Sequence, residues 1–294
     1  MWVLLSSLLW FACSLFTPSQ GLAYCRARTD TSKKGVCEVS DAPVLFWGRG
    51  CISYVFHENV FPGLLLLSEL EIRTIVRDSF TTWGEVNCGR DPFVIEQLAG
   101  TTDAPAVLFR NGIRNEFVIS VMSAAEWEAQ SLDPDAFAIT YLWFRANTGE
   151  IFDADMALSL AQGQFGDCTN GCTRGTIDLQ NTVTHEAGHV LGLGHSKIDG
   201  ATMKADATVG ATFMRDLDTD DIAGMCALEL PSHSCEDGTT TCQCPPPPIL
   251  GGATSATNCS VQPGKRKATP TWHLLPLLAA AAGCWYRRRQ RRRA

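Results

Sequence analysis

Apolar residues change their spacing several times along this chain, and each change marks an element. Cys51-Ile52-Ser53-Tyr54-Val55-Phe56 is a run of β-branched and aromatic residues that predicts a strand opening the folded body. Ile72, Ile75, Val76, Phe80 and Trp83 then recur at helical spacing behind Ser68 and Glu71, a capping-box pair, so a helix is expected from about Glu69 to Val86. Strand-like runs follow at Phe93 to Leu98, Phe117 to Val121, Ala138 to Phe144 and Ile151 to Met156. A second helix is predicted from about Leu179 to Leu191, with Asp178 as N-cap and Gly192 at its exit. A shorter third helix begins after Asp218, where Asp220 and Asp221 suit the positive end of the helix dipole, and runs to about Leu228.

The two ends of the chain read differently. Residues 1–23 carry no charged side chain and finish in Gly21-Leu22-Ala23, the pattern of a secretory signal peptide; the missing basic n-region keeps a membrane-retained N-terminus as the alternative. A short cysteine-bearing segment, 24–50, precedes the folded body, 51–230. Pro245 to Pro248 and the glycines after them make 231–264 a stiff, then flexible, linker. In 265–294 an apolar stretch from Trp272 to Tyr286, interrupted by Pro276, is followed by six arginines. It is short for a membrane span, which needs about 20 residues, yet arginines there would hold it on the cytoplasmic side.

Composition sharpens this division. The net charge of −7 conceals nine of the 24 basic residues in the last thirty positions, which leaves 15 basic against 31 acidic residues, or −16, elsewhere. So acidic a body repels nucleic acid and favours cations, calcium included, unless the charge serves only solvation. Thirteen cysteines suit an oxidising compartment. Ten lie between Tyr24 and Cys244, enough for five disulfides; Cys168 with Cys172 and Cys25 with Cys37 are the short loops they could close, but spacing does not settle connectivity.

The chemistry concentrates in His185-Glu186-Ala187-Gly188-His189-Val190-Leu191-Gly192-Leu193-Gly194-His195, the pattern HExxHxxGxxH, which uses three of the six histidines. Histidines four apart project from one helical face, so His185 and His189 can reach one metal ion. Gly192 can take a left-handed conformation, end the helix and return the chain to deliver His195. A hydrolytic zinc wants three protein ligands and a position left for water. Glu186, beside a ligand but not one itself, is placed as general base. A binding protein that kept the metal site as scaffold, and a zinc hydrolase of non-peptide bonds, are the rival readings; the intact Glu186 speaks against the first.

The eleven-residue segment resembles the zinc-binding consensus of the metzincin peptidases, and its surroundings are most similar to the matrixin branch. Ser196 follows the third histidine, and Met203, in Ala201-Thr202-Met203, resembles the family's Met-turn; Met214, in a second Ala-Thr-x-Met run, is a weaker candidate. The likeness covers about Cys51 to Leu230. It implies an α+β fold, a twisted mixed five-stranded sheet with two long helices and a C-terminal helix. It implies also a Zn2+ cofactor held by His185, His189 and His195, and hydrolysis of protein or peptide substrates by an exported, monomeric endopeptidase. Three features depart from the family. Lys204 stands where a tyrosine is usual, the propeptide motif PRCGxPD is absent, and no histidine lies between His57 and His185 to hold a structural zinc. Asp153 and Asp155 are either calcium (Ca2+) ligands or solvated acids of an edge strand. The tail, with Cys259 upstream, resembles C-terminal sorting tags of the MYXO-CTERM type. That resemblance implies cleavage near Cys259 and engagement of sorting machinery at the cell surface, a plain membrane anchor or a free tail being the alternatives.

Overall fold

A computed structural model of the chain describes residues 23–30, 40–104, 116–231, 244, 255–259 and 262–263. In chain order the elements are β1 (Cys25–Arg26), β2 (Phe46–Trp47), β3 (Cys51–His57), α1 (Val60–Gly63), α2 (Glu69–Gly84), β4 (Val94–Thr102), β5 (Phe117–Met122), α3 (Ala124–Ala129), β6 (Ala138–Phe144) and β7 (Glu150–Ser159). They continue as β8 (Gln164–Gly166), β9 (Thr176–Asp178), α4 (Leu179–Val190), β10 (Leu193–Gly194), β11 (Asp206–Ala207), α5 (Thr219–Ala227), β12 (Ser255–Cys259) and β13 (Gln262–Pro263). The chain divides into two units, Met1–Pro263 and Gly264–Ala294; the described residues all belong to the first.

Five strands carry the body in the order β6-β7-β5-β3-β4. β7 with β5, β5 with β3 and β3 with β4 are parallel, whereas β6 runs antiparallel to β7. The short β2 adds a parallel pairing to β7, and β12 lies antiparallel along the free side of β6. The fold is therefore a mixed sheet with two long helices, α2 and α4, and a C-terminal helix, α5, as the family resemblance implies.

Helix α2 starts at a complete capping box: the Ser68 hydroxyl accepts the Glu71 amide, and the Glu71 carboxylate accepts the Ser68 amide. Its apolar stripe, Ile72, Val76, Phe80 and Trp83, is buried. Phe80 meets Tyr54 of β3 at 4.8 Å between ring centroids and Phe117 of β5 edge-on at 5.9 Å. Two indoles then bind α4 to this frame. Trp83 Nε1 donates to the Thr184 carbonyl at 2.8 Å, and Trp47 Nε1 donates to the Val190 carbonyl at 2.7 Å. Alternation along the strands sends Ile139 and Ala157 to the opposite face, where they pack with Trp127 of α3.

Strand β7 is buried from Ile151 to Ser159. The edge position considered for Asp153 and Asp155 is thereby corrected: β7 lies between β5 and β6, and the two residues are only 4% and 2% exposed. A pairing partner on each side covers what an edge strand would leave to water.

Three disulfides join described cysteines: Cys51–Cys244, Cys88–Cys226 and Cys168–Cys172. Cys168–Cys172 is the short loop considered from spacing. Cys25 is also disulfide-bonded, while Cys37 lies outside the described residues. Cys244 and strands β12 and β13 all fall within the stretch 231–264. Residues 1–22 and the tail from 264 onward also lie outside the described residues, and no described helix is long and apolar enough to cross a membrane.

Cys88–Cys226 connects the exit of α2 to α5 across 138 residues of sequence. Replacing both cysteines with alanine should lower the unfolding free energy by about 2–5 kcal/mol, measured by urea denaturation without reductant; an unchanged midpoint would show that the bridge contributes nothing.

Candidate metal centre and active site

Helix α4 begins where Asp178 accepts the Asn181 amide at 2.7 Å, and ends at Leu191. Gly192 follows with φ of +101°, and a Cβ there would lie 3.0 Å from the Leu45 carbonyl oxygen, so both the backbone and the packing ask for glycine. The returning chain is braced from outside, because β1 pairs antiparallel with β10 and the Ala27 amide donates to the Gly192 carbonyl at 2.8 Å. His195 emerges directly after β10.

The three imidazoles converge. Their candidate ligand atoms all lie within 4.8 Å of one another, and they form the one such group of three or more metal-capable side chains among the described residues. His189 Nε2 sits 3.1 Å from His195 Nε2. His185 Nδ1 is 2.7 Å from the Thr202 carbonyl and His189 Nδ1 is 2.8 Å from the Leu193 carbonyl. A carbonyl can only accept, so each Nδ1 carries the hydrogen and each Nε2 presents a lone pair. His185 Nε2 is buried without any hydrogen-bond partner, as a ligand atom awaiting a cation would be. Burial, with neighbouring imidazoles adding to it, pushes His185 down to about 3 and His189 well below the usual histidine range. Both rings are thus neutral and ligand-competent at physiological pH. Three neutral nitrogen donors in a buried setting fit a zinc ion.

Glu186 is fully buried, and its Oε2 accepts a hydrogen bond of 2.6 Å from the Thr140 hydroxyl on β6. The helix supplies the carboxylate next to His185, and the sheet holds it. Nothing in the sequence around Thr140 marks this role, since it depends on β6 passing beside α4.

Met203 lies against α4 at Gly188. A Cβ on Gly188 would approach Met203 Sδ to 2.2 Å and Trp83 Cζ2 to 2.8 Å, so that glycine makes room for the methionine. The turn itself is pinned by Asp221, whose carboxylate accepts the amides of Thr202 at 2.6 Å, Met203 at 3.0 Å and Asp218 at 2.9 Å. Thr202 presents its carbonyl to His185, so Asp221 orients a histidine through Thr202. From the sequence Asp221 reads only as a helix-start charge; its anchoring role needs the fold. Beside it, Asp220 accepts from the Ser196 hydroxyl at 2.6 Å. Met214 is also buried, but its amide bonds Asn181 near the start of α4, away from Gly188. Lys204 is engaged by Asp199 at 2.8 Å.

Asp153 and Asp155 do not join a third ligand among the described residues. Asp155 accepts the Val118 amide at 2.8 Å, which puts it to use across the β5-β7 pair. Burial raises the Asp153 carboxyl to about 8, with its bond to the Ala154 amide and the Arg49 guanidinium pulling the other way.

Residues 47–229, more than half of the chain, match the matrixin family. The chain belongs to the matrixins. It is also 39% identical over 192 residues to the metalloendoproteinase 1-MMP of Arabidopsis thaliana. That stretch is 63% of this chain and 45% of the relative, so the chain spans less than half the length of the protein it matches. The matched region of this matrixin contains the histidine triad, Glu186, Thr140 and the Met203 turn, and stops short of β12 and β13.

Two substitutions test the geometry. Gly188→Ala should destabilise the matrixin domain by about 1–3 kcal/mol through overpacking, although alanine intrinsically favours a helix by about 1 kcal/mol; a more stable variant in chemical denaturation would mean that Met203 does not press on α4. Asp153 has a folded pKa raised above its unfolded value, so its contribution is fully present below about pH 4 and is lost as pH rises through about 8. Asp153→Asn should accordingly reduce the fall in melting temperature between pH 4.5 and pH 8.5, and an equal fall in both proteins would show that Asp153 ionises without penalty.

Proposed function

We propose that this matrixin is an exported zinc-dependent endopeptidase that hydrolyses bonds within protein or peptide substrates. One observation carries the proposal. Three imidazoles share one point, two of them with Nδ1 tied to backbone carbonyls, and a fully buried carboxylate stands next to the first on the same helix. Such a set is wasteful for a scaffold, because burying Glu186 without employment costs desolvation.

His185, His189 and His195 would hold the ion through Nε2. Zinc, when bound, lowers the pKa of a water molecule and polarises a carbonyl. Glu186 takes the proton of the attacking water and passes it to the departing amine, so the proton ends on the new N-terminus and the hydroxyl on the new carboxylate. Thr140 keeps the carboxylate in position throughout through its hydroxyl. The Met203 turn positions the Thr202 carbonyl that fixes the His185 ring. No covalent link between chain and substrate is needed.

Export is supported by the three disulfides among described cysteines, which persist in oxidising compartments. The uncharged leader read from residues 1–23 belongs to the same proposal, as does surface attachment through the tail.

Glu186→Gln preserves shape and the Thr140 contact but cannot take a proton. The variant should retain one zinc per chain by elemental analysis and lose at least about 10^3 of kcat/KM on a quenched peptide library, a loss within the range for removing an essential general base. Wild-type-like turnover by the variant would remove Glu186 from the chemistry, and a wild-type protein without stoichiometric metal would end the zinc assignment.

A further inference from the structure

Strand β6 is the sheet element nearest the reactive carboxylate, since Thr140 lies in it and bonds Glu186. Without a further partner β6 would be the free edge of the sheet, a row of unpaired amides and carbonyls open to any extended peptide. An exposed sheet edge captures extended peptides in this way, by adding them as a strand. Here that edge is covered by the chain itself. β12 pairs antiparallel with five of the seven residues of β6, from Ser255 opposite Phe144 to Cys259 opposite Thr140. Two residues further on, β13 pairs in parallel with β11, Gln262 opposite Asp206 and Pro263 opposite Ala207. β11 follows the Met203 turn. β12 thus pairs with the strand whose Thr140 bonds Glu186, and β13 pairs with the strand that follows the Met203 turn.

A second feature keeps β12 nearby. Cys244 is bonded to Cys51 at the start of β3, and its amide donates to Glu96 of β4 at 2.9 Å. Only residues 245–254 separate this covalent anchor from β12 in the sequence. A tether of such length sustains an effective concentration of roughly millimolar.

We propose that β12 and β13 are a built-in occupant of the peptide-binding cleft, and that the chain is latent while they are seated. The proposal rests on the endopeptidase function above, and it deepens that function by naming the segment a substrate must displace. An incoming peptide competes with an intramolecular strand at about millimolar effective concentration, so only substrates of higher affinity, or a chain cut between Cys244 and Ser255, escape the block.

The test uses the full-length, zinc-loaded protein and the double variant Ala256→Pro and Thr257→Pro. Adjacent prolines remove successive amides, so the pairing with β6 is lost whichever of the two points toward it. Both proteins are assayed on a short quenched peptide and, without peptide, by hydrogen exchange at residues 138–144. The variant should show a kcat/KM at least ten-fold higher and faster exchange in β6, and a synthetic peptide of residues 253–263 added in trans should inhibit it. Unchanged exchange in β6 would overturn the occupancy, and faster exchange with an unchanged rate or no inhibition by the peptide would overturn the latency. If neither protein cleaves any peptide, the endopeptidase function fails, and the exchange result still decides for or against the occupied edge.

Discussion

The carboxylate of Asp221 is the anchor on which the candidate metal centre depends. It is buried at the start of α5 and accepts amides from Thr202, Met203 and Asp218. A buried carboxylate is costly unless its oxygens are occupied, and three backbone donors occupy them. In return, the Met203 turn is tied to α5. The Thr202 carbonyl then meets His185 Nδ1, the His185 Nε2 lone pair is turned inward, and Met203 fills the space that Gly188 leaves on α4. The orientation of His185 is therefore set from outside the helix that carries it.

Helix α4 transmits that order to the rest of the molecule. Its carbonyls accept the indoles of Trp83 and Trp47, which belong respectively to α2 and to the strand beside β7. These bonds satisfy polar groups within the apolar core and set the depth of the helix against its neighbours. Glu186 faces the sheet and finds Thr140. Rotating α4 by a fraction of a turn would separate the carboxylate from the hydroxyl and His185 from its carbonyl together, so packing and chemistry impose one requirement.

Strand position decides what the acidic residues of β7 can do. On an edge Asp153 and Asp155 would be hydrated and open to a hard cation. Between β5 and β6 they are enclosed, Asp155 serves as an internal acceptor for β5, and Asp153 is driven toward its protonated form. The opposite holds for β6, whose outer side would be open but for a segment more than a hundred residues away in sequence.

Much of this molecule was legible in its residues because the signals are local. Capping pairs and apolar spacing mark α2, α4 and α5 within a few residues of their ends, and Ala138–Phe144 emerges with its expected bounds. The histidine spacing on a helix, with glycine permitting the turn, predicts convergence on a single point because helical geometry alone brings residues four apart together. The Cys168–Cys172 loop is local in the same sense. Other features have no local signal: the neighbours of β7, the bond from Thr140 to Glu186, the hold of Asp221 on Met203, and the return of β12 to β6 and of β13 to β11. Each joins groups brought together only when the sheet assembles, and pairing across such distances depends on strand order and register rather than on the spacing of side chains. The sequence by itself determined which elements form and which residues are candidates for the chemistry; the tertiary structure decided which of those residues are buried, what each one touches, and which strand edge the chain keeps for itself.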